Sequence, residues 1–354
     1  MTYGRATMGL SLSTSHRTFL AAWFGCLAIV SASRAEATDY GINFSFLNVV
    51  AENVALCSTS KNATIKDAAF LPKYDQPEIR TQVQAQLETM RKSGFSTVRT
   101  IVFFGPQAKV QKNWFDVVNG AAAGAAIANY ATDVKRAGFK SLTIALGPQG
   151  TIHPACRRTA WGDCYDQSLL PTVVKFVEDS QRQIKVDDTF KVNFDLFNEG
   201  CTPADFSPEL KDVYANFTAS LVKQARPDIP STVSCPVNRF TKSVKSIDSV
   251  FSAGGKKPAF YDVHIYDRGK PFDAATLDSI AAEVKQRRAQ LVVGELSFGS
   301  RQFTDMMVAE FSKAGVAPSS LVFWPLRGGA SICQVDVAPP YALKDAMGKQ
   351  DQPH

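Results

Sequence analysis

The sequence is poor in the residues that metal and nucleic-acid chemistry require. It has four histidines among 354 residues, and none of its seven cysteines shows the C-x₂-C spacing typical of zinc sites. It also lacks the dense blocks of lysine and arginine that bind nucleic acid. We therefore expect a protein that needs no metal, nucleotide or redox cofactor and that does not bind nucleic acid.

Long apolar runs are also scarce. One run, at residues 19–30, follows Arg17 and precedes small residues of the kind that a signal peptidase requires. We predict that residues 1–35 are a secretory signal peptide. A single membrane anchor is the alternative, although the run is short for a bilayer. No other segment approaches ~18 apolar residues, so we expect residues 36–354 to be a soluble domain, secreted or periplasmic, free of the membrane and monomeric.

Removal of the predicted signal peptide changes both the charge and the cysteine count. It leaves 36 basic and 33 acidic residues, so the net charge falls from +6 to +3. A neutral or weakly charged partner suits such a chain. Six cysteines remain, at positions 57, 156, 164, 201, 235 and 333. An even number in an exported chain predicts disulfide bonds, although the sequence alone leaves many pairings open.

Short β-rich runs alternate with longer amphipathic stretches, which is typical of βα units in a parallel sheet. The predicted strands are residues 40–46, 97–103, 141–146, 192–197, 232–235, 259–266, 290–294 and 321–324. The predicted helices are residues 77–93, 120–137, 169–185, 208–224, 239–251, 274–288 and 301–314, with a short closing helix at 340–347. Eight such units predict a single-domain α/β fold, a (β/α)₈ TIM barrel. A doubly wound open sheet is the alternative, but a glycine-rich phosphate loop does not follow the first strand.

Polar side chains gather where the predicted strands end, the edge at which barrel enzymes carry their active sites. The fourth strand leads into Asn198 and Glu199, and the seventh into Glu295. Strands four and seven face each other across the barrel, so the two carboxyl groups would converge. Retaining glycosidases use two carboxyl groups about 5–5.5 Å apart, one as acid/base and one as nucleophile.

Further strand ends match this pattern, with Arg99 on the second strand, His264 and Tyr266 on the sixth and Trp324 on the eighth. Together these motifs resemble clan A of the glycoside hydrolases, most closely family 5, which includes many cellulases and mannanases. The resemblance extends from about residue 39 to residue 347. It implies a secreted enzyme that hydrolyses β-linked polysaccharides or oligosaccharides by double displacement.

The resemblance assigns catalysis to two glutamates. Glu199 matches the acid/base and Glu295 the nucleophile, while Asn198 would bind the sugar 2-hydroxyl. A carbohydrate-binding barrel without catalysis is one alternative, and a transglycosylase with the same site is another. A barrel lyase or aldolase would need a lysine or a metal cluster at the strand ends, and the sequence has neither.

The remaining matches have supporting roles in the resemblance. Arg99 would keep the nucleophile ionised, Tyr266 would donate to its carboxylate, and His264 would orient the acid/base. Trp324 would form an apolar platform under the sugar. Each also has a structural alternative: Arg99 could pair with an interior acid, His264 could be a core histidine, and the two aromatic residues could simply pack.

The loops supply weaker candidates. Family 5 has a histidine at the end of its third strand, whereas here His153 comes later, in the loop. Five aromatic residues follow the second and third strands and would either form sugar subsites or pack the loops: Phe103, Phe104, Trp114, Trp161 and Tyr165. Neighbouring strands in a closed barrel suggest the disulfide bonds Cys57–Cys333 and Cys201–Cys235, and Cys156–Cys164 would close a single loop after the third strand.

Overall fold

The computed structural model describes residues 38–47, 69–106, 114–154, 165–202, 205–267, 273–325 and 340–348. The predicted signal peptide lies outside these residues, so its assignment stays a prediction. Cys57, Cys156, Cys164, Cys333 and Trp161 also lie outside them.

The strands of the described residues form one sheet in which every pair is parallel. Strands β1 to β10 comprise Asp39–Asn43, Thr97–Gly105, Phe115–Asp116, Ser141–Pro148, Lys191–Asp195, Ser231–Thr232, Cys235–Pro236, Tyr261–Ile265, Leu291–Ser297 and Ser320–Trp324. Their order is β6-β5-β4-β2-β1-β10-β9-β8-β7, and β3 pairs with the end of β2. The first and last strands are therefore neighbours, which excludes a doubly wound sheet.

Helices connect the strands as a barrel requires. Helices α1 to α8 comprise Pro77–Lys92, Gly120–Arg136, Leu170–Arg182, Pro208–Gln224, Val237–Ala253, Ala274–Arg287, Arg301–Lys313 and Leu343–Met347. Each predicted helix is present, and α5 begins two residues earlier than predicted. The (β/α)₈ prediction is confirmed. Within the described ranges, every helix is too short or too polar to cross a membrane.

The predicted fifth strand, residues 232–235, is two short strands. Its halves β6 and β7 are the two edges of the sheet, and only Val233 and Ser234 separate them. The break arises because the Ser234 amide donates to the Asp195 carboxylate at 2.9 Å and not to the backbone of a neighbouring strand. The barrel thus closes at an interruption that brings a buried serine next to a buried aspartate.

Alternation along the strands separates two kinds of interior. On β2, Val98 and Val102 belong to the large apolar core that includes the helices. Ile101 and Phe103 point the other way and join a second apolar cluster. Arg99 shares their face because successive side chains of a strand point to opposite sides. The barrel interior therefore carries a polar layer with an apolar cluster above it.

Candidate active site

A buried arginine lies at the centre of the polar layer. The Arg99 side chain is 1% exposed. Its Nη1 donates to Glu295 Oε1 at 2.7 Å and to Asn43 Oδ1 at 3.1 Å. Its Nη2 donates to Asn198 Oδ1 at 2.6 Å and to Asp195 Oδ2 at 2.9 Å. Because a guanidinium holds its donors in fixed directions, Arg99 positions four side chains at once.

Glu295 lies within β9, with its carboxylate inside the barrel. Its side chain is 5% exposed. Oε1 accepts from Arg99, Oε2 accepts from the Tyr266 hydroxyl, and His264 Nδ1 lies 3.4 Å from Oε2. A buried carboxylate without such partners would be costly. The contacts therefore fix both oxygens of Glu295 in direction and balance its charge.

Two buried aspartates complete the surroundings of Arg99. Asp262 Oδ2 lies 3.8 Å from Arg99 Nε, and Asp195 accepts from the other side of the guanidinium. Burial raises the pKa of Asp262 to about 6, although His264 and Arg99 act in the opposite direction. The arginine thus pairs both with Glu295 and with interior acids, which the sequence had presented as alternatives.

Glu199 has an unusual backbone conformation. Its φ is +53°, in the left-handed region that residues other than glycine rarely adopt. Its amide donates to Ser234 Oγ at 2.7 Å, and the Gly200 amide donates to Phe197 O at 2.9 Å. A side chain at Gly200 would overlap the Phe197 ring. This tight turn after β5 turns Glu199 towards the barrel mouth, where 42% of its side chain is exposed.

His264 connects the two glutamates. Its Nδ1 lies 3.1 Å from Glu199 Oε1, and its Nε2 lies 3.3 Å from Arg99 Nη2. Burial alone would lower the pKa of His264, but the charge of Glu295 and the hydrogen bond to Glu199 outweigh it and raise the pKa to about 9. Burial would raise the pKa of Glu199, but the hydrogen bond and charge of His264 lower it below the usual range. The two carboxylates therefore favour the protonated form of this buried histidine.

The raised pKa of His264 predicts a pH-dependent stability. The folded protein keeps this proton up to about pH 9, whereas an unfolded histidine loses it near 6.5. The stabilisation is complete below pH 6.5 and is lost as the pH rises through about 9, by on the order of 3 kcal/mol. Urea unfolding between those two pH values checks this loss. His264→Gln should lack most of it, and an equal loss in the variant would contradict the assignment.

The two carboxyl groups and His264 lie close together. One carboxylate oxygen of Glu199, one of Glu295 and a ring nitrogen of His264 all lie within 4.8 Å of one another. This set also resembles a metal site in its donor types. However, Arg99 and Tyr266 already engage both oxygens of Glu295. A guanidinium directly beside the donors opposes a second cation, so the set fits a proton-transfer site better than a metal site.

The predicted site residues thus fall into two groups. Arg99, Asn198, Glu199, His264, Tyr266 and Glu295 form one connected network. Trp324 lies at the end of β10 in the apolar cluster of the barrel mouth, with its ring 6.2 Å from that of Phe46. Asn43, Ser234 and Asp262 also contact the network. An inward position on a strand was the signal that could have revealed Asn43.

The loop candidates have mixed outcomes. Phe103 and Trp114 lie in the apolar cluster of the mouth. Phe104 is fully buried and stacks on Phe176 of α3, so the structure favours packing over a subsite role for this residue. Packing also holds for Tyr165, which is buried in the outer core against Phe217.

His153 and one pair of the predicted disulfide cysteines lie near the turn that carries Glu199. The His153 ring packs edge-on against Phe197, at 5.4 Å between ring centroids. Cys201 and Cys235 form a disulfide bond with their Cα atoms 5.3 Å apart, which confirms that pair. The bond joins the turn after Glu199 to β7. The other two predicted pairs lie outside the described residues.

The fold and the site together define the class of this protein: a parallel (β/α)₈ barrel whose mouth holds a pair of carboxyl groups connected through arginine, histidine and tyrosine. Protein-family models do not match the chain, and neither do the curated proteins. Solved structures do.

Beta-mannanases are among these structures. The mannohexaose complex of the beta-mannanase of Thermomonospora fusca is 15% identical, with 84% of this chain and 82% of that chain covered and a TM-score of 0.50. The beta-mannanase from the blue mussel Mytilus edulis is 14% identical, with 81% of this chain and 86% of that chain covered and a TM-score of 0.51. At such low identity these likenesses establish the barrel fold that the sequence predicted.

Proposed function

We propose that this protein is an exported retaining glycoside hydrolase that cleaves β-glycosidic bonds through Glu199 and Glu295. One observation carries the proposal: carboxylate oxygens of the two residues lie within 4.8 Å of each other at the barrel mouth. Retaining glycosidases hold their carboxyl groups about 5–5.5 Å apart, whereas inverting ones leave about 6.5–9.5 Å for a water molecule. The short separation supports attack by a carboxylate.

The surroundings of Glu295 and Glu199 differ, and the difference assigns one residue as the nucleophile and the other as the acid/base. Glu295 is almost fully buried and paired with Arg99, which suits a carboxylate that attacks the anomeric carbon. Glu199 is far more exposed, which suits a group that exchanges protons with the leaving group and with water. In the first step a bond forms from a Glu295 oxygen to the anomeric carbon, the bond from that carbon to the glycosidic oxygen breaks, and this leaving oxygen takes a proton from Glu199. Water then attacks that carbon, its proton goes to Glu199, and the Glu295 carboxylate is released.

A proton must reach Glu199 before the leaving group departs. In the free protein the lowered pKa of Glu199 keeps this group ionised, while the adjacent His264 holds a proton up to about pH 9. A bound sugar would exclude water from Glu199 and raise its pKa again. We propose that the proton then passes along the 3.1 Å contact from His264 Nδ1 to Glu199 Oε1, and that the proton taken from water in the second step returns from Glu199 to His264.

A β-mannan is the first substrate to test. The Thermomonospora fusca enzyme, which has this fold, was solved with mannohexaose. A β-glucan is the second, because the sequence motifs resemble cellulases as well as mannanases. The apolar cluster of the mouth, with Phe46, Phe103 and Trp324, offers aromatic surface for the C–H face of a sugar ring.

A screen of polysaccharides for new reducing ends tests the function. Wild-type protein should release them from at least one β-linked glycan, and Glu199→Gln should release them about 10²–10⁴-fold more slowly. Glu178→Gln, which alters an exposed ion pair with Arg182 on α3, is the matched control and should match wild type. Longer products without new reducing ends would indicate transglycosylation. Unchanged release by Glu199→Gln would remove this residue from the mechanism.

We propose that the mature protein acts outside the cytoplasm as a monomer, away from the membrane. The apolar run of residues 19–30 followed by small residues supports export. Secretion in a suitable host should yield a protein that begins at Glu36. An N-terminus that still contains the apolar run would contradict cleavage and favour an anchor.

A further inference from the structure

The direction in which Glu295 points is not what its strand predicts. Leu291 and Val293 of β9 both belong to the outer apolar core, between the sheet and the helices. In a regular strand, residues two apart share a face, so Glu295 would point at the helices as well. Instead its carboxylate meets Arg99 inside the barrel.

An extra residue in β9 reverses the alternation. Asp262 of β8 pairs with Val292, but His264, two residues later, pairs with Glu295, three residues later. The pairing with β10 shifts at the same place. The additional residue is a β-bulge around Gly294, and such a one-residue slip moves the following side chains to the opposite face. As a consequence Leu296, which regular alternation would place inside the barrel, lies in the outer core.

Two side chains hold the backbone of the bulge. The Gly294 amide donates to Asp262 Oδ1 at 2.9 Å. On the other side of the same residue, Gly294 O accepts from Asn43 Nδ2 at 3.0 Å. Asp262 and Asn43 are both about 1% exposed. Side chains of β8 and β1 therefore provide the hydrogen bonds to a residue that the bulge removes from the regular ladder.

We infer that Asp262 and Asn43 are positioning residues that hold the Gly294 bulge and so turn Glu295 from the helix layer into the site. The inference rests on the proposed function of Glu295. Position 294 must be glycine, because a Cβ there would overlap both carboxylate oxygens of Asp262. Asn43 also accepts from Arg99 Nη1, which donates to Glu295, so the bulge and the nucleophile share one set of contacts.

The test compares Asp262→Ala with Asp262→Asn. Alanine removes the acceptor for the Gly294 amide, so Glu295 should shift and kcat should fall about 100-fold, with KM within about threefold. Asparagine keeps an acceptor oxygen and should retain at least about a tenth of the wild-type kcat. NMR hydrogen exchange of the Gly294 amide should be slow in wild type and in Asp262→Asn, and at least about tenfold faster in Asp262→Ala.

Controls separate this inference from folding and from the proposed function. Asp248→Ala removes an aspartate whose contacts are Tyr261 and Arg287, and should leave both kcat and Gly294 exchange unchanged. If Asp262→Ala does not fold, Asn43→Ala tests the same bulge from the carbonyl side. Wild-type kcat and slow Gly294 exchange in the alanine variant would overturn the inference. A wild-type protein that hydrolyses no glycan would overturn the proposed function instead, while the exchange measurement still decides the bulge.

Discussion

Glu295→Gln should abolish turnover of every glycoside, because the carboxamide keeps the size of the side chain but cannot form the covalent bond to the sugar. Loss of a catalytic nucleophile costs on the order of 10⁵-fold in kcat. The variant should still fold, since its amide oxygen can accept from Arg99 in place of Oε1. Steady-state kinetics on the best β-glycan, together with a urea unfolding curve, measures both effects.

The leaving group distinguishes the two glutamates. The dinitrophenolate group of a dinitrophenyl β-glycoside leaves without protonation. Glu199→Gln should therefore form the glycosyl-enzyme from this substrate almost as fast as wild type. The same variant should be about 10²–10⁴-fold slower on a natural glycan. Glu295→Gln should be slow on both substrates. Slow reaction of Glu199→Gln with the activated substrate and normal reaction of Glu295→Gln would reverse the assigned roles.

Of the variants proposed above and below, Arg99→Met should show the largest fall in the free energy of unfolding. It removes the cation from Asp195, Asp262 and Glu295, all of which are buried. Breaking a buried ion pair from one side costs about 3–5 kcal/mol, because the partner charge stays buried. Arg99→Lys keeps the charge but cannot reach four acceptors in fixed directions, so kcat should fall about 100-fold with a smaller loss of stability. Chemical unfolding and kinetics of both variants test this.

A matched control for Arg99 is available on the outside of the barrel. Arg80 of α1 pairs with the buried carboxylate of Asp133 at 2.7 Å, far from the network of the mouth. Arg80→Met should lower the free energy of unfolding but leave kcat within about twofold of wild type. A loss of kcat in Arg80→Met as large as that in Arg99→Lys would show that the activity tracks global stability and not the network.

Much of this architecture could be predicted from the sequence because it depends on local patterns. The alternation of strands and helices gave the barrel, and the strand ends identified six residues that the structure brings into one network. The pair Cys201–Cys235 followed from neighbouring strand ends. These inferences need only the period of a strand, the period of a helix and the edge at which barrel loops gather.

Other features depend on contacts between distant strands, which the sequence does not display. Regular alternation from Leu291 and Val293 would have placed Glu295 outside the barrel, and only the pairing of β9 with both neighbours reveals the bulge. The break at Ser234 has the same origin, since its amide donates to the Asp195 side chain and not to a strand backbone. The alternatives for Phe104 stayed open because the predicted strand ended at residue 103, whereas β2 continues to Gly105 and so turns that ring to the helices.

The anomeric configuration of the first product tests the central claim most directly. Proton NMR of a β-glycan digest, recorded before mutarotation, should show the β-anomer at the newly formed reducing end, because two displacements restore the configuration. An initial α-anomer would mean a single displacement by water. That result would contradict the assignment of Glu295 as the nucleophile.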